Sequence, residues 1–523
     1  MIDFVIIGSG PAGMAAAMAL AEFRPHVFDV GLRSPEPGPS QSLSKLLSQG
    51  LVDQLLGPEF EMLANLINTR KKHSKLRSRA ASHVETGSPF QFGSTTTPLS
   101  GVSGSATHAA GGQSIAWGGQ LPRYTQNDLD RVGEWPVNIS DLNAAYETLE
   151  QHIGIAGSMD DLSEFFGPQS LSYPPPPLSP VGATLLRHYE ARRHKTALLL
   201  GRSRIGLRTT SSDDTPQFSY DELDFHSTRQ HGFYTAQTTL DQLVNTNSIH
   251  YHPNMELRSW TESLSHVTLV FTDTRTGQQA TINARTVFLA CGVLQTSRLV
   301  LLHNNRSAKL PFIDHPPFLL PFLFPSLLFT PLPMQSFPIQ LAGTFRDDAS
   351  IMISFYYTGG MLFSDLIGEL PFLDFRSAWQ ITPLIARTLL VAQIWHDSKP
   401  ALGNFLQLTA DNHLAITYQP TAPSADFSRL CMHMARLGAF SLPSLAKSAP
   451  PGWGFHYAAT LPMRTSPGPF ETNRNGQLWN SNRIYVVDGC VLPTLPSKNH
   501  SLTMMANAFR IATNVAINAG PLT

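Results

Sequence analysis

An α/β fold joined to a second, α+β domain is the architecture this 523-residue sequence predicts, and three stretches predict it. Residues 1–31 read as strand, glycine turn, helix and strand. Residues 255–303 read as three strands leading into a helix, and the closing stretch from Tyr485 runs from a strand through a turn into another helix. A chain this long exceeds one ordinary core, so two or more intimately joined domains are expected.

The first stretch is the most specific. Ile2 to Ile7 form a short apolar run, and Gly8, Gly10 and Gly13 supply G-x-G-x-x-G where that strand must turn into a helix. The first glycine permits the tight turn, the second lets backbone approach a pyrophosphate, and the third lets helix and strand pack closely. Unpaired amides at the helix N-terminus then face the phosphates. The small residues of AAAMALA suit a helix lying close on a sheet, and His26 to Val30 return as a second strand. Asp29 stands where a carboxylate accepts from a ribose hydroxyl. Together these features describe a Rossmann-like dinucleotide-binding unit rather than a bare glycine turn.

Composition narrows the function. The 37 basic and 38 acidic residues make up only 14% of the chain, which leaves no basic footprint for a nucleic-acid partner. Three scattered cysteines, Cys291, Cys431 and Cys490, match no metal spacing and form no disulfide framework. No metal is expected. The nucleotide strand begins at residue 2, so no leader is expected ahead of it and a cytoplasmic location follows.

After Gly31 comes a turn-rich link, then a helical region from about Ser42 to Arg77 whose leucines serve packing and whose basic run from Arg70 to Arg79 forms a solvated face. Gly101 to Gly119 is too rich in glycine to pack a core through side chains. Its use is backbone approach to a large planar or phosphorylated ligand, with Gly112, Ser114, Trp117 and Gly118 beside it. A turn and a helix capped by Ser140 follow, with Leu142, Tyr146 and Leu149 along one side. Beyond a stiff proline loop and a helical stretch over 181–200, a short helix is expected near 239–244. Strands are expected over Met255 to Trp260, Ser265 to Asp273 and Thr281 to Ala290. Gly292 ends the last of these and opens a helix, which brings backbone back toward the dinucleotide. Cys291 reads as a small buried apolar residue.

Between Leu310 and Ala342 the chain is almost uncharged, but repeated prolines interrupt every helix long enough to cross a membrane, so no transmembrane anchor is expected. A substrate-chamber wall, a subunit contact and a membrane-surface patch all fit this composition. Residues 349–361 and 403–418 read as strands of a roofing sheet, with a mostly helical region from Phe375 to Trp395 between them.

Two late motifs carry chemistry: GWGFHYAATLPM, with His456, and YVVDGCVLPTLPSKNHSLTMM, with Asp488, Gly489, Asn499 and His500. With GSGPAG at 8–13, GGQSIAWGG at 111–119, GEWP at 133–136 and DHP at 314–316, they resemble, in order and over nearly the full chain, the glucose–methanol–choline (GMC) oxidoreductase family. The likeness is nearest to its bacterial sugar- and sterol-oxidising type. The resemblance implies a Rossmann-like FAD-binding domain (1–160, 230–315 and 450–523) interleaved with a sheet-based substrate domain (161–229 and 316–449). It implies FAD held by Gly8, Gly10, Gly13, Asp29, Gly112, Ser114, Trp117, Gly118, Gly292, Asp488 and Gly489. Some relatives attach flavin through a histidine immediately before the tryptophan; Ala116 stands there in this chain, so noncovalent FAD is expected.

The same resemblance places a catalytic histidine at His456 and its partner at either Asn499 or His500, two readings the sequence leaves open. The implied reaction turns CH–OH into C=O, with hydride passing to the flavin and the hydroxyl proton to an imidazole. The substrate is expected to be a small-molecule alcohol with a secondary hydroxyl, sugar-like or a natural product of secondary metabolism. Oxygen, a quinone or a carrier protein would accept the electrons, and a homo-oligomer is compatible with all of this. A lyase or isomerase on the same fold, or a noncatalytic nucleotide-binding protein, are the alternatives.

Overall fold

Strand Ile2–Ile7 lies at the middle of the largest sheet, paired in parallel with His26–Phe28 on one side and with Gln279–Leu289 on the other. The computed structural model describes residues 1–33, 99–100, 106–212, 216–220, 232–330, 336–358, 375–420, 427–452 and 454–519. The helical region expected over Ser42 to Arg77 and its basic run lie outside these residues.

The sheet has seven strands. His250–His252 extends it in parallel beyond His26–Phe28, and Ile484–Val486 pairs in parallel with the end of the long strand Gln279–Leu289. The start of that strand leaves the parallel core and forms an antiparallel arm with Val267–Asp273 and Met255–Glu262. One strand thus serves two pairings, which is how the antiparallel arm and the parallel sheet become one body. Helix Pro11–Ala19 buries Ala12 to Ala17 against the sheet and the closing helix Ser501–Ala519. Its small residues allow that close approach. Helix Val293–His303 covers the other face with Leu294, Leu299, Val300 and Leu301.

A six-stranded sheet forms the second layer, ordered Lys447–Ser448, Phe318–Leu323, Leu389–His396, Asp348–Tyr357, Ile339–Phe345 and Leu198–Gly201. Every residue of Ile339–Phe345 is buried. The apolar run after Leu310 therefore supplies two strands of this sheet, interrupted by the short 3-10 turn Pro325–Leu327. No helix among the described residues is long and apolar enough to cross a membrane.

Four local expectations are corrected. The helical stretch over 181–200 ends at Glu190, and Leu198–Gly201 is the edge strand of the six-stranded sheet, paired with Ile339–Phe345. Leu389–His396, expected as the end of a helical region, is a strand in the interior of the six-stranded sheet, and only Phe375–Ala386 is helical. Pairing on both sides with Phe318–Leu323 and Asp348–Tyr357 decides its conformation. Strands Phe405–Leu408 and Leu414–Thr417 do not roof the site with Asp348–Tyr357; they join Leu310–Pro311 and Leu99–Ser100 in a separate four-stranded sheet. Ser140 caps no helix. Asn138 caps a 3-10 turn, Ile139–Asp141, and the α-helix Asn143–Ile153 starts behind it with Tyr146 and Leu149 buried. An additional helix, Gln126–Val132, is held by a reciprocal cap between Thr125 and Asp128.

Candidate active site

A continuous cavity runs between the two layers from the glycine turn after the first strand to the loop carrying Asn499 and His500. At its first end Gly8 takes φ +106°, and a Cβ there would lie 2.5 Å from the carbonyl oxygen of Ala290. At Gly13 a Cβ would lie 2.0 Å from the oxygen of Gly8, so helix and turn touch backbone to backbone. Gly10 differs: a Cβ would meet only Gly112 Cα, at 3.8 Å, and would otherwise project into the cavity. Gly10 and Gly112 therefore face each other across bare backbone. Gly118 and Gly292 also line the cavity, and a Cβ added at Gly292, where φ is +80°, would meet nothing within 4 Å.

The polar residues expected here are at the cavity, but several are already engaged. The Ser9 hydroxyl donates to Asp29 Oδ2 and accepts from the Gly111 amide. Burial raises the Asp29 pKa to about 6. The Ser114 hydroxyl donates to the Gly111 carbonyl at 2.6 Å and accepts from the Ala236 amide at 2.8 Å, so it ties the glycine loop to the start of helix Ala236–Asn245. Trp117 donates from Nε1 to the Tyr234 carbonyl at 3.0 Å. Asp488 accepts from the Gly292 amide at 3.0 Å and the Thr296 hydroxyl at 2.5 Å through Oδ2, and from the Cys490 amide at 3.0 Å through Oδ1. Its carboxylate latches the start of helix Val293–His303 to the turn Gly489–Val491, and it shapes the cavity wall through backbone.

At the other end His456 is held on several sides. Trp395 lies against its face with ring centres 4.6 Å apart and planes at 25°. His500 presents an edge at 4.9 Å and 82°. Asn499 Nδ2 is 3.3 Å from His456 Nε2, and His315 Nδ1 is 3.4 Å from His456 Nδ1. His500 and His315 are buried and neutral, since burial lowers their pKa values to about 4 and about 3. The side chains of this end that line the cavity, Tyr356, Trp395, Phe455, Asn499, His500 and Met504, carry no formal charge.

The loop bearing Asn499 is anchored from below. Lys498, fully buried, donates to Asp128 Oδ2 at 2.5 Å and to the Phe165 carbonyl. Asp128 also pairs with Arg131, whose Nε donates to Asp397 Oδ2 at 2.6 Å, and Asp397 accepts from the Ser497 amide at 2.8 Å. This circuit clamps residues 497–498 on both sides, so Asn499 and His500 issue from fixed backbone.

Sequence reasoning does not assign His315, Trp395, Lys498 or Thr296 to the site. DHP is visible as a motif, but its imidazole meets His456 only through the fold. Trp395 lies in the strand that the sequence suggests as helix. Among the described residues no group of three or more His, Cys, Asp or Glu side chains could hold a metal ion.

The site fits a flavin dinucleotide by its own features. Gly10 and Gly112 leave a backbone cradle at a helix N-terminus, where unpaired amides favour a pyrophosphate. At the far end, buried Asn499 Oδ1 and His500 Nδ1 have no hydrogen-bond partner, as expected where a bound molecule supplies one.

Fold and cavity describe an α/β chain in which one cavity is lined from both the seven-stranded and the six-stranded sheet. Residues 446–508, which contain His456, Asn499 and His500, match a family model described as GMC oxidoreductase. Among solved structures, a pyridoxine 4-oxidase from Mesorbium loti shares the fold at a TM-score of 0.56 and 12% sequence identity, over 99% of each chain. No curated protein sequence matches significantly. The sequence likeness to that family thus lies in the closing stretch, and the solved neighbour shows the fold of the whole chain.

Proposed function

We propose that this chain is an FAD-dependent alcohol oxidase or dehydrogenase, turning CH–OH into C=O, with His456 as the base. The observation that carries the reading is the continuity of one cavity from the Gly10 and Gly112 cradle to His456 Nε2, with Asn499 Nδ2 3.3 Å from that nitrogen. FAD, held noncovalently, supplies the hydride acceptor. In this reading the seven-stranded sheet holds the dinucleotide and the six-stranded sheet roofs the substrate.

His456 Nε2 receives the hydroxyl proton as the carbinol oxygen gains alkoxide character. Asn499 Nδ2 then donates to that oxygen, and buried His500 offers a second polar edge. The Trp395 face keeps the imidazole plane fixed, so the proton moves along a set direction.

The uncharged lining favours an uncharged alcohol with an apolar or ring-bearing body, consistent with a sugar-like or natural-product substrate carrying a secondary hydroxyl. The solved neighbour acts, by its name, on pyridoxine, so ring-bearing primary alcohols belong in the same panel. Oxygen, a quinone or a carrier protein would take the electrons, and we place the enzyme in the cytoplasm, in secondary metabolism.

The test is to load the protein with FAD and incubate it with sugars, sterols, pyridoxine-like and other alcohols, each with oxygen, a quinone or a dye. A carbonyl product seen by mass spectrometry supports the reading. Cleavage or isomerisation of an alcohol without consumption of acceptor would replace it with lyase or isomerase chemistry.

A further inference from the structure

We propose that His315 is a positioning residue that fixes which nitrogen of His456 carries the proton, and so keeps Nε2 unprotonated and able to act as the base. This deepens the reading of His456 given above and rests on it.

One atom beside His315 can only accept. His315 Nε2 is hydrogen-bonded to the backbone carbonyl of His396. A carbonyl oxygen has no proton to give, so Nε2 of His315 carries the hydrogen. His315 is 2% exposed, and burial holds its pKa down at about 3, so the ring is neutral and its Nδ1 is an unprotonated lone pair. That lone pair faces His456 Nδ1 at 3.4 Å. The hydrogen between them therefore belongs to His456 Nδ1, which leaves Nε2 of His456 unprotonated. The opposite end agrees: Nε2 of His456 faces the amide nitrogen of Asn499 at 3.3 Å, a donor that requires an acceptor.

Reversing the chain fails at its anchor. If His456 carried its hydrogen on Nε2, Nδ1 of His315 would have to donate, and a neutral His315 would present an unprotonated Nε2 to the His396 carbonyl. Two acceptors would then be in contact inside a buried site, where an unmade hydrogen bond costs about 1–3 kcal/mol. The sense of the chain is thus set by backbone and propagates through two imidazoles to the reacting nitrogen.

The surrounding structure holds this pair in place. Asp314 accepts from the amides of His315 at 2.9 Å and Gly452 at 2.5 Å, joining the segment before His456 to the one that bears His315. A Cβ at Gly454 would lie 2.3 Å from the His315 carbonyl oxygen, so glycine there permits the approach. Trp395 is edge-on to His315 at 5.1 Å and stacked on His456 at 4.6 Å, and so orients both rings. The arrangement matters because a neutral histidine in water favours the Nε2–H tautomer. Without an acceptor at Nδ1, His456 would place a proton on the nitrogen that must receive one.

The test is nitrogen NMR of the FAD-loaded protein carrying 15N-labelled histidine, without alcohol, with His315→Gln and His456→Gln used to assign the signals. The expected result is His456 protonated at Nδ1 and unprotonated at Nε2. In His315→Leu, His456 should switch to the Nε2–H form, with reduction of the flavin by alcohol slowed roughly 10- to 100-fold. His315→Gln, whose amide oxygen still accepts, should keep the wild-type tautomer and lie within about threefold of its rate. An Nε2–H form of His456 in the wild type, or an unchanged tautomer in a folded His315→Leu, overturns the proposal. The wild-type spectrum decides the matter even where His315→Leu does not fold. Because it is read without turnover, a protein whose flavin no alcohol reduces can still show the tautomer, and a working alcohol oxidase can still lack it.

Discussion

Asn499 Nδ2 lies 3.3 Å from Nε2 of His456, while His500, the next residue, meets the same imidazole only with its ring edge, at 4.9 Å between centres and 82° between planes. Sequence could not choose between these neighbours as partner of the base. The geometry puts the amide against Nε2 of His456 and the second imidazole beside it, which favours Asn499 as the partner in the proposed reaction. Each also keeps a buried polar atom without a protein partner, Asn499 Oδ1 and His500 Nδ1.

Replacing the two separately distinguishes them. Asn499→Ala removes the donor next to the base and is expected to slow alcohol-dependent flavin reduction about 10²-fold. His500→Ala should cost less in rate and more in substrate affinity. Stopped-flow reduction at varied alcohol concentration gives both numbers, and two variants with wild-type behaviour would remove both residues from the site.

His456→Ala should retain bound flavin, because the cradle at Gly10 and Gly112 is separate from the imidazole, yet lose about 10²- to 10⁴-fold in the rate of reduction. Flavin content by absorbance and single-turnover kinetics check the two halves. An unchanged rate would mean that another group takes the proton.

Gly10 and Gly13 should fail differently although they stand three residues apart. Gly10→Val is expected to fold and to bind no FAD, since its side chain enters the cavity. Gly13→Ala places a methyl 2.0 Å from the Gly8 oxygen and should not fold stably. Circular dichroism together with FAD titration separates the cases, and a fully flavinated Gly10→Val would defeat the placement of the pyrophosphate.

Lys498→Met should destabilise the protein by roughly 3–5 kcal/mol, because it leaves Asp128 buried beside one remaining cation, Arg131. The double variant Lys498→Met with Asp128→Leu should recover part of this. Thermal melts test the energetics. Reduction kinetics in the single variant report whether Asn499 and His500 lose their set positions when the lysine before them is cut loose.

Acid should weaken the fold through His500. Its folded pKa of about 4 lies below the usual 6.5, so the unfolded chain binds more protons between those values. The stabilisation is complete above pH 6.5 and falls as pH drops toward 4, by on the order of 3 kcal/mol. Asp314 and Asp29, raised by burial to about 7 and about 6, act in the opposite sense, so the effect is read as a difference. Between pH 7 and 5 the melting temperature of the wild type should fall more than that of His500→Asn, and parallel curves would contradict this.

The strand–turn–helix at the start of the chain was legible because its signals are local: a short apolar strand, glycines at fixed spacing and a small-residue helix follow one another directly along the chain. His456, Asn499 and His500 were legible as motif members, but their geometry was not. Leu389–His396 escaped because its conformation comes from strands on both sides that are distant in sequence. Helix Gln126–Val132 was passed over although its Thr125 and Asp128 cap is written in the sequence. His315 stands 141 residues from the ring it meets, and no spacing rule connects them. Asp488 lines the cavity, but only the fold shows its carboxylate turned inward onto Gly292, Thr296 and Cys490.

The visible absorption spectrum of the FAD-loaded protein, recorded without oxygen before and after addition of the alcohol panel, tests the central claim most directly. Bleaching of the oxidised flavin band by one class of uncharged alcohol in the wild type, and its slowing in His456→Ala, is the predicted result. A protein that takes up no FAD at all, or a flavin that the wild type and His456→Ala reduce at the same rate, would contradict the account.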